Sequence, residues 1–324
     1  MICLNRCQAL FLRELSMSRS VCVLLFCSLA GAGMQSGVAA EVKVVWQDDD
    51  QLQVTIGDVE FATYNYSSKF RKPFFLPVKA ADGTVLTRAL NGSEDADHRH
   101  HKGVWVAVDE VNEIRYWVEQ GRIVTRNVKV VQAAGNPAII ELTNQWQKPE
   151  TKESVVTEQT RISIYSNGLM TYNIGFIAEH GPVEFLDTKE GLLGYRMSPS
   201  MKEKNTGKVV SSDGTEGTSA CWGRSFPWID YSGTVNGNIF GVTLMDHPEN
   251  FRPSRYHVRN YGLFSISPFG EHAYTSGKEP ARPVHLKVGE ELHLQYAIYF
   301  HGGDAVQGRV KEAYKQFIEL SGDE

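Results

Sequence analysis

Apolar and polar residues alternate along several stretches of this chain, and the alternation is the first guide to its structure. Every second position is apolar in residues 52–56, 170–176 and 292–298, and the apolar positions within 124–130 share one parity. Successive side chains on a strand point to opposite faces, so such runs are expected of strands with one face in a core. Turn-forming pairs such as Asn167-Gly168 separate the runs.

Helical periodicity is confined to the end of the chain. No segment between residues 41 and 301 repeats with a helical period, whereas an apolar stripe with charged residues opposite it runs over residues 305–320. Asp304 is a suitable N-cap for that helix. The stripe consists of Val306, Val310, Ala313, Tyr314 and Phe317. The pattern therefore predicts an all-β fold, a large antiparallel β-sandwich with one C-terminal α-helix.

Residues 1–40 have the pattern of an export signal. A short basic start at Met17 precedes an apolar run over residues 21–34, and small residues up to Ala40 suit a signal peptidase. The run is shorter than the ~20 residues that span a bilayer. We therefore expect translation from Met17, cleavage after Ala40, export to the periplasm or the extracellular space, and no membrane attachment afterwards. Residues 41–324 are then a single sandwich domain, which includes the helix.

Charge and cysteine content narrow the range of partners. The chain has 33 basic and 38 acidic side chains, and removal of the three arginines and one glutamate in residues 1–40 leaves 30 and 37, a net charge of −7. An acidic balance disfavours nucleic acid as a partner. Cys221 is the one cysteine left after cleavage, so no internal disulfide is expected.

The densest group of ionisable side chains is Asp97-His98-Arg99-His100-His101, which Trp105 follows closely. Three of the ten histidines fall within four residues. Histidine exchanges protons near neutral pH and is the commonest metal ligand. If the chain is extended here, His98 and His100 point to the same face. The block is then able to clamp a cation or to bracket a polar substrate.

Two further blocks add candidate site residues. Glu190 follows Lys189 beside a glycine and is a candidate general acid or base. Residues 246–261 crowd acid, imidazole, amide and phenol groups together, as suits a ligand with many hydroxyls. Aromatic residues between 222 and 231 are candidates for packing on sugar rings. The candidate ligand-binding residues are Asp246, His247, Asn250, His257, Tyr261 and Trp228.

Several of these blocks occur in the order typical of one protein family. They are Arg71–Pro77, Asp97–Trp105, Val111-Asn112 with Trp117, Asp246-His247-Pro248 with Asn250, and His257–Gly262 with Pro268-Phe269. Together they resemble the DUF6807 family, which circulates under the label "methane oxygenase PmoA". Arg99, Lys102 and Glu113 depart from the usual family pattern. The resemblance implies an exported bacterial β-sandwich protein, often from organisms that degrade complex sugars, with no established reaction.

The oxygenase label is a poor guide to chemistry. A membrane methane monooxygenase subunit needs several transmembrane helices, which the pattern of residues 41–324 does not predict. A histidine-brace copper enzyme needs histidine at its mature N-terminus, and cleavage after Ala40 leaves Glu41. Methane oxygenase activity is therefore not expected.

The favoured hypothesis is an exported carbohydrate-active protein on a sandwich that resembles the galactose-mutarotase-like supersandwich. In that architecture a histidine acid and a glutamate base act on a sugar bound to a concave sheet. We expect His100 or His101 as the acid and Glu190 as the base, in epimerase-, lyase- or hydrolase-like chemistry on a small sugar or oligosaccharide. His98, Trp105 and the residues named above then bind the substrate, and no cofactor is expected.

Two other hypotheses remain open. One is a cupin-like metalloenzyme in which His98 and His100, with Glu190 and either His247 or His257, hold a divalent metal. The other is a non-catalytic glycan-binding protein with Trp105 and Trp228 as sugar platforms. Because ionisable groups are dense in these blocks, we also predict that residues 97–101, Glu190 and residues 246–257 converge on one pocket.

Overall fold

The computed structural model describes residues 40–90 and 97–321. The first ten strands are β1 (Val42–Asp48), β2 (Gln51–Ile56), β3 (Val59–Asn65), β4 (Phe74–Val78), β5 (Val104–Val106), β6 (Glu110–Val111), β7 (Ile114–Arg115), β8 (Arg122–Gln132), β9 (Ala134–Gly135) and β10 (Ala138–Gln147). The others are β11 (Ser154–Ile164), β12 (Leu169–Ile177), β13 (Val183–Phe185), β14 (Leu193–Arg196), β15 (Lys208–Ser211), β16 (Trp228–Val235), β17 (Asn238–Asp246), β18 (Arg255–Val258), β19 (Leu263–Ser267), β20 (Val284–Leu286) and β21 (Glu291–Gly302).

The strands form three antiparallel sheets. A nine-stranded sheet has the order β18-β19-β14-β5-β4-β3-β2-β1-β9, and an eight-stranded sheet has the order β15-β16-β17-β21-β12-β11-β10-β8. A small four-stranded sheet has the order β20-β13-β6-β7. The predicted all-β class and large antiparallel sandwich are confirmed, and the alternating runs at 52–56, 124–130, 170–176 and 292–298 all lie in strands.

The core lies between the two large sheets. Tyr195 on β14 contacts Phe300 on β21, with ring centres 5.7 Å apart, and both rings are buried. In register with Tyr195 across the nine-stranded sheet are Val104, Phe264 and Val258, which are buried in the same cluster. The residues that alternate with these four therefore belong to the opposite face of the sheet.

The C-terminal helix is confirmed but begins later than predicted. Helix α3 spans Val310–Ser321, not residues 305–320, because Arg309 has a left-handed backbone with φ 55°. The Asp304 side chain caps a turn ahead of the helix by accepting from the Val306 and Gln307 N–H groups at 3.0 and 2.9 Å. Val306 is 85 % exposed, so its predicted place in the apolar stripe is wrong.

Three short helical segments escaped the sequence analysis. Helices α1 (Thr218–Cys221) and α2 (Glu271–Tyr274) and a 3₁₀ helix at Pro199–Met201 are single turns. A single turn is too short to repeat a helical apolar pattern, so periodicity cannot reveal it.

The described residues belong to one compact unit. None of the helices within residues 40–90 and 97–321 is long and apolar enough to cross a membrane. The predicted export signal falls on residues that the structure does not describe, apart from Ala40, and stays a prediction.

Candidate functional site

Four residues lie side by side across the face of the nine-stranded sheet that is turned away from the core. Three of the four positions carry side chains, Trp105 on β5, Ser265 on β19 and His257 on β18, and the fourth is Gly194 on β14; the four are paired in register. A Cβ atom on Gly194 would come within 2.6 Å of the Trp105 ring. The missing side chain therefore lets the indole lie flat over β14, and we call these four residues the site row.

A stack of four rings rises from this row. Tyr261 stacks on His98 at 5.2 Å between ring centres, His98 on His101 at 4.9 Å, and His101 on Trp105 at 5.4 Å. Interplanar angles of 4°, 6° and 15° make the four rings nearly parallel. We call this arrangement the ring stack; its inner rings, His101 and Trp105, are buried, and His98 is exposed.

The histidine block is a turn and not an extended strand. His101 N–H donates to the His98 carbonyl at 2.9 Å, and His98 has φ 46°. The expectation that His98 and His100 share a strand face is therefore wrong. His100 instead meets His98 and His101 edge-on, with ring centres 5.7 and 4.4 Å away.

Two buried arginines hold this turn in place. Arg88 donates to the carbonyls of Asp97, His98 and His101 at 2.9–3.0 Å and also to the Asp97 carboxylate. Arg196 donates to the same carboxylate at 2.8 Å, and its guanidinium lies 4.9 Å from the centre of the Tyr261 ring. The sequence analysis missed both arginines because they are 9 and 95 residues away from the turn that they organise.

Burial keeps the inner imidazoles neutral. It lowers the pKa of His100 to about 4, helped by the nearby Lys72, and it holds the pKa of His101 far below its usual range. The predicted acid role for His100 or His101 needs a protonated ring, so that assignment conflicts with this environment. Neutral His100 is suited to accept a proton instead.

Glu190 follows Lys189, whose carbonyl oxygen lies 3.1 Å from His257 Nδ1. Its carboxylate is half-buried and 3.6 Å from Lys189 Nζ, and burial raises its pKa. Burial and, to a smaller extent, the charge of Glu190 raise the pKa of the Tyr261 hydroxyl. A raised pKa suits a carboxyl group that delivers a proton rather than one that removes it.

His257, at the end of the site row, anchors a second cluster. Its ring lies 3.1 Å from the Lys189 carbonyl through Nδ1 and accepts from Arg259 Nε at Nε2, at 2.9 Å. Trp222 and Tyr274 contact the His257 ring edge-on, both with ring centres 6.2 Å away. The structure therefore brings the predicted residues His98, His100, His101, Trp105, Glu190, His257 and Tyr261 to one region.

Several buried polar atoms of this region have no partner among the described residues. They belong to the site row and its neighbours: Trp105 Nε1, Ser265 Oγ, Arg196 Nε and Trp222 Nε1. Buried donors are normally satisfied, so a group of unsatisfied ones indicates a place where a ligand or water binds. Ser265 has no unusual sequence context, and only the strand pairing reveals it.

Asp246, His247 and Asn250 do not join this region. Asp246 accepts from Asn250 Nδ2 at 2.8 Å and from Ser254 N–H at 2.7 Å, while His247 packs on Phe317 of α3. These contacts place the three residues beside the C-terminal helix. Their predicted convergence with the histidine turn is therefore wrong, and Asp246 acts as a local structural carboxylate.

Neither predicted tryptophan platform offers a free ring face. Trp105 is 2 % exposed beneath His101, and Trp228 is 6 % exposed in the apolar cluster that also holds Phe317 of α3. Neighbouring side chains cover both indoles, so the role of exposed sugar platform is wrong for both. In the described ranges, no group of three or more His, Cys, Asp or Glu residues is placed to hold a metal.

A second concave region lies on the eight-stranded sheet. A groove of about 350 Å³ is centred on a row that pairs in register across β8, β10, β11, β12 and β21. The row consists of Asn127, Thr143, Gln159, Gly175 and His293. Glu141 at its rim pairs with Arg161 and Lys129 at 2.6 and 3.1 Å.

Comparison with known proteins identifies a family but not an activity. The model of a family described as "Family of unknown function (DUF6807)" matches residues 51–315, as the sequence motifs led us to expect. A search of curated proteins returns no match.

Among solved structures, the chain is similar to several sugar-active enzymes at low identity. A galactose 1-epimerase from Lactobacillus acidophilus NCFM has a TM-score of 0.41 and 10 % identity, over 81 % of this chain and 98 % of that one. A GH36 α-galactosidase from Geobacillus stearothermophilus has a TM-score of 0.43 and 11 % identity, over 80 % and 41 %. A heparan sulfate lyase from Pedobacter heparinus has a TM-score of 0.34 and 8 % identity, over 83 % and 36 %. Similarity at this level carries no argument about activity.

Proposed function

We propose that this chain, which belongs to the DUF6807 family of unknown function, is an exported carbohydrate-active protein. Its sugar ligand lies against the ring stack. The observation that carries the proposal is the surface end of the ring stack, where the partly exposed Tyr261 lies against the exposed His98 and beside the Arg196 guanidinium. A sugar presents C–H faces that pack on an aromatic ring, and it presents hydroxyl groups that can bond to the polar groups around that ring.

The surface end of the stack supplies the binding surface. Tyr261, the last ring, is partly exposed, and the exposed His98 lies parallel to it, between Tyr261 and His101. Arg196 lies on Tyr261 and pairs with Asp97, so the surface is held rigidly before any ligand arrives. Such preorganisation lowers the entropy that binding costs.

Acid/base chemistry on the bound sugar would use Glu190 and His100 in the reverse of the roles expected from the sequence. Burial favours the uncharged form of both groups, so His100 is suited to take a proton and Glu190 to give one. This pairing corresponds to an isomerase, lyase or hydrolase reaction on a sugar.

Binding is tested by calorimetric titration of the full chain with a panel of neutral and acidic mono- and oligosaccharides. Tyr261→Ala removes the last ring of the stack and His98→Ala removes the ring that supports it, and each is expected to weaken binding by about two- to tenfold, since packing on an aromatic ring is worth ~0.5–1.5 kcal/mol. Asn173→Ala in the groove of the eight-stranded sheet is the control. If only Asn173→Ala lost binding, the sugar would bind in the groove of the eight-stranded sheet, and the proposed site at the ring stack would be wrong.

Turnover separates an enzyme from a binding protein. On any sugar that binds, Glu190→Gln and His100→Ala are each expected to remove most of the rate and to leave the dissociation constant within a few-fold. If the wild-type protein binds sugars and converts none of the panel, the non-catalytic glycan-binding hypothesis replaces the enzymatic one.

A further inference from the structure

Arg259 is an arginine that its surroundings fix on two sides. Its Nε donates to His257 Nε2 at 2.9 Å, and its guanidinium carbon lies 5.2 Å from the centre of the Trp222 ring. Stacking and one hydrogen bond together set the plane and the direction of the guanidinium. The side chain is half-buried, at the His257 end of the site row.

The histidine beneath Arg259 can act only as an acceptor toward it. His257 Nδ1 lies 3.1 Å from the Lys189 carbonyl oxygen, which has no proton to donate, so Nδ1 carries the ring proton and Nε2 is free to accept. The Tyr274 hydroxyl donates to the same carbonyl at 2.6 Å. Burial lowers the pKa of His257 to about 3, so the ring stays neutral and the acceptor persists over the physiological range.

The two terminal nitrogens of Arg259 have no hydrogen-bond or ion-pair partner within residues 40–90 and 97–321. The neighbouring arginines differ. Arg196 pairs with Asp97 at 2.8 Å, and Arg255, four residues before Arg259, pairs with Glu271 at 2.7 Å. Arg259 is thus an oriented guanidinium whose terminal nitrogens are open to a ligand.

The guanidinium of Arg259 belongs to the proposed sugar site. Arg259 and Tyr261 belong to one tight turn, which is closed by hydrogen bonds from Gly262 N–H to the Arg259 carbonyl at 3.0 Å and from Arg259 N–H to the Leu263 carbonyl at 2.9 Å. Trp222, on which it stacks, contributes one of the unsatisfied buried N–H groups. A ligand against Tyr261 therefore lies within reach of the Arg259 fork.

We infer that the sugar taken by this site carries a carboxylate, as a uronic acid does, and that Arg259 Nη1 and Nη2 bind that carboxylate through two parallel hydrogen bonds. A planar guanidinium matches a carboxylate in this bidentate geometry, and a lysine cannot reproduce it. This inference rests on the proposed function and adds the class of substrate to it.

The test compares isosteric ligands on the folded wild-type protein. Glucuronate and galacturonate are titrated beside their uronamides and beside glucose and galactose, as monosaccharides and as short oligomers. We expect the uronates to bind roughly tenfold to a hundredfold more tightly than the uronamides, since a hydrogen bond to a charged group is worth ~1.5–3 kcal/mol. The preference should weaken at high salt.

Variants assign the preference to one residue. Arg259→Gln should remove the preference for uronates over uronamides, and Arg259→Lys should restore only a small part of it. Arg126→Gln, on the rim of the eight-stranded sheet where Arg126 contacts Gln145, is the matched control and should keep the full preference.

The outcomes separate this inference from the proposed function. Equal affinity for uronates and uronamides, or a preference that survives in Arg259→Gln, overturns the carboxylate inference. Neutral sugars that bind the wild type and not His98→Ala still support the proposed site in that case. A sulfated sugar that binds more tightly than every uronate also overturns the inference. A panel in which nothing binds overturns both proposals.

Discussion

Each of the two large sheets has, on the face turned away from the core, one row of residues that includes a glycine. The two rows differ in how far other side chains cover them. On the nine-stranded sheet, Gly194 lies beneath the Trp105 indole. The side chains of the other three residues of the site row are buried. On the eight-stranded sheet, Gly175 lies in an open groove of about 350 Å³ between Gln159 and His293.

The polar groups of the two regions also differ in how they are satisfied. In the groove, Glu141 pairs with Lys129 and Arg161, and His293 pairs with Glu291 at 3.0 Å. Around the site row, buried donors remain without partners. A groove by itself is therefore weaker evidence for a ligand site than a set of desolvated and unsatisfied donors, because the latter costs free energy that only a ligand or water can recover.

The largest expected difference between the two regions comes from their arginines. Arg88→Gln removes hydrogen bonds to three carbonyls of the histidine turn and leaves Asp97 with Arg196 and His98; we expect a loss of about 3–5 kcal/mol in the free energy of unfolding, because the carbonyls lose their donor. Arg161→Gln breaks a partly exposed pair with Glu141 and should cost roughly 0.5 kcal/mol or less.

Urea denaturation of the two arginine variants measures this difference. Similar costs for Arg88→Gln and Arg161→Gln would mean that the histidine turn is no better anchored than the groove. That result would contradict the proposal that the ring stack is a preorganised binding surface.

The two glycines give a second, smaller contrast. Gly194→Ala places a Cβ 2.6 Å from Trp105 and 2.9 Å from Trp117, and it should destabilise the protein by about 1–3 kcal/mol, as overpacking does. Gly175→Ala meets its nearest atom, in His293, at 3.4 Å. We expect it to be neutral or to stabilise by ~0.5 kcal/mol, because alanine loses less backbone entropy on folding.

The intrinsic fluorescence of Trp105 and Trp117 should change in Gly194→Ala and stay constant in Gly175→Ala. A Gly194→Ala variant that is as stable as the wild type, with an unchanged spectrum, would show that the indole does not lie over β14. The side-by-side arrangement of Trp105 and Gly194 in the site row would then be wrong.

Period-two alternation was sufficient to predict the fold class, since β2 and the first half of β21 bury alternate side chains between more exposed ones. The helix start was misplaced because Arg309 adopts a left-handed backbone, which no apolar pattern reports. Short irregular features of this kind are decided by tertiary contacts and not by local propensity.

The candidate site was predicted in part. Seven of the side chains singled out from the sequence meet near the ring stack, because a dense cluster of histidines and aromatics is visible in the sequence itself. Asp246 looked equivalent by composition, yet its partners are Asn250 and Ser254. Arg88, Arg196 and Ser265 gave no signal, since what makes them important is pairing across strands distant in the chain.

The smallest expected effect is the pH dependence of the free energy of unfolding. It compares His257, a buried histidine of the site row, with Asp246, a buried carboxyl group at the end of β17. The folded pKa of His257 is about 3, below its ordinary 6.5, so the unfolded chain binds the extra proton first. Stability is therefore present above pH 6.5 and falls as the pH drops from there toward 3. For Asp246 the folded pKa is about 6, above its ordinary 3.8, so its contribution rises as the pH drops through the same range.

Unfolding free energies at pH 7 and pH 5.5 separate the two groups. His257→Gln should remove a loss of about 1 kcal/mol that the wild type shows between these values, and Asp246→Asn should remove a gain of similar size and so deepen the loss. Glutamine can still accept from Arg259 Nε, so the first variant keeps the guanidinium in place. If both variants change the pH slope in the same direction, His257 is not held neutral by burial, and the acceptor that orients Arg259 would be lost in mild acid.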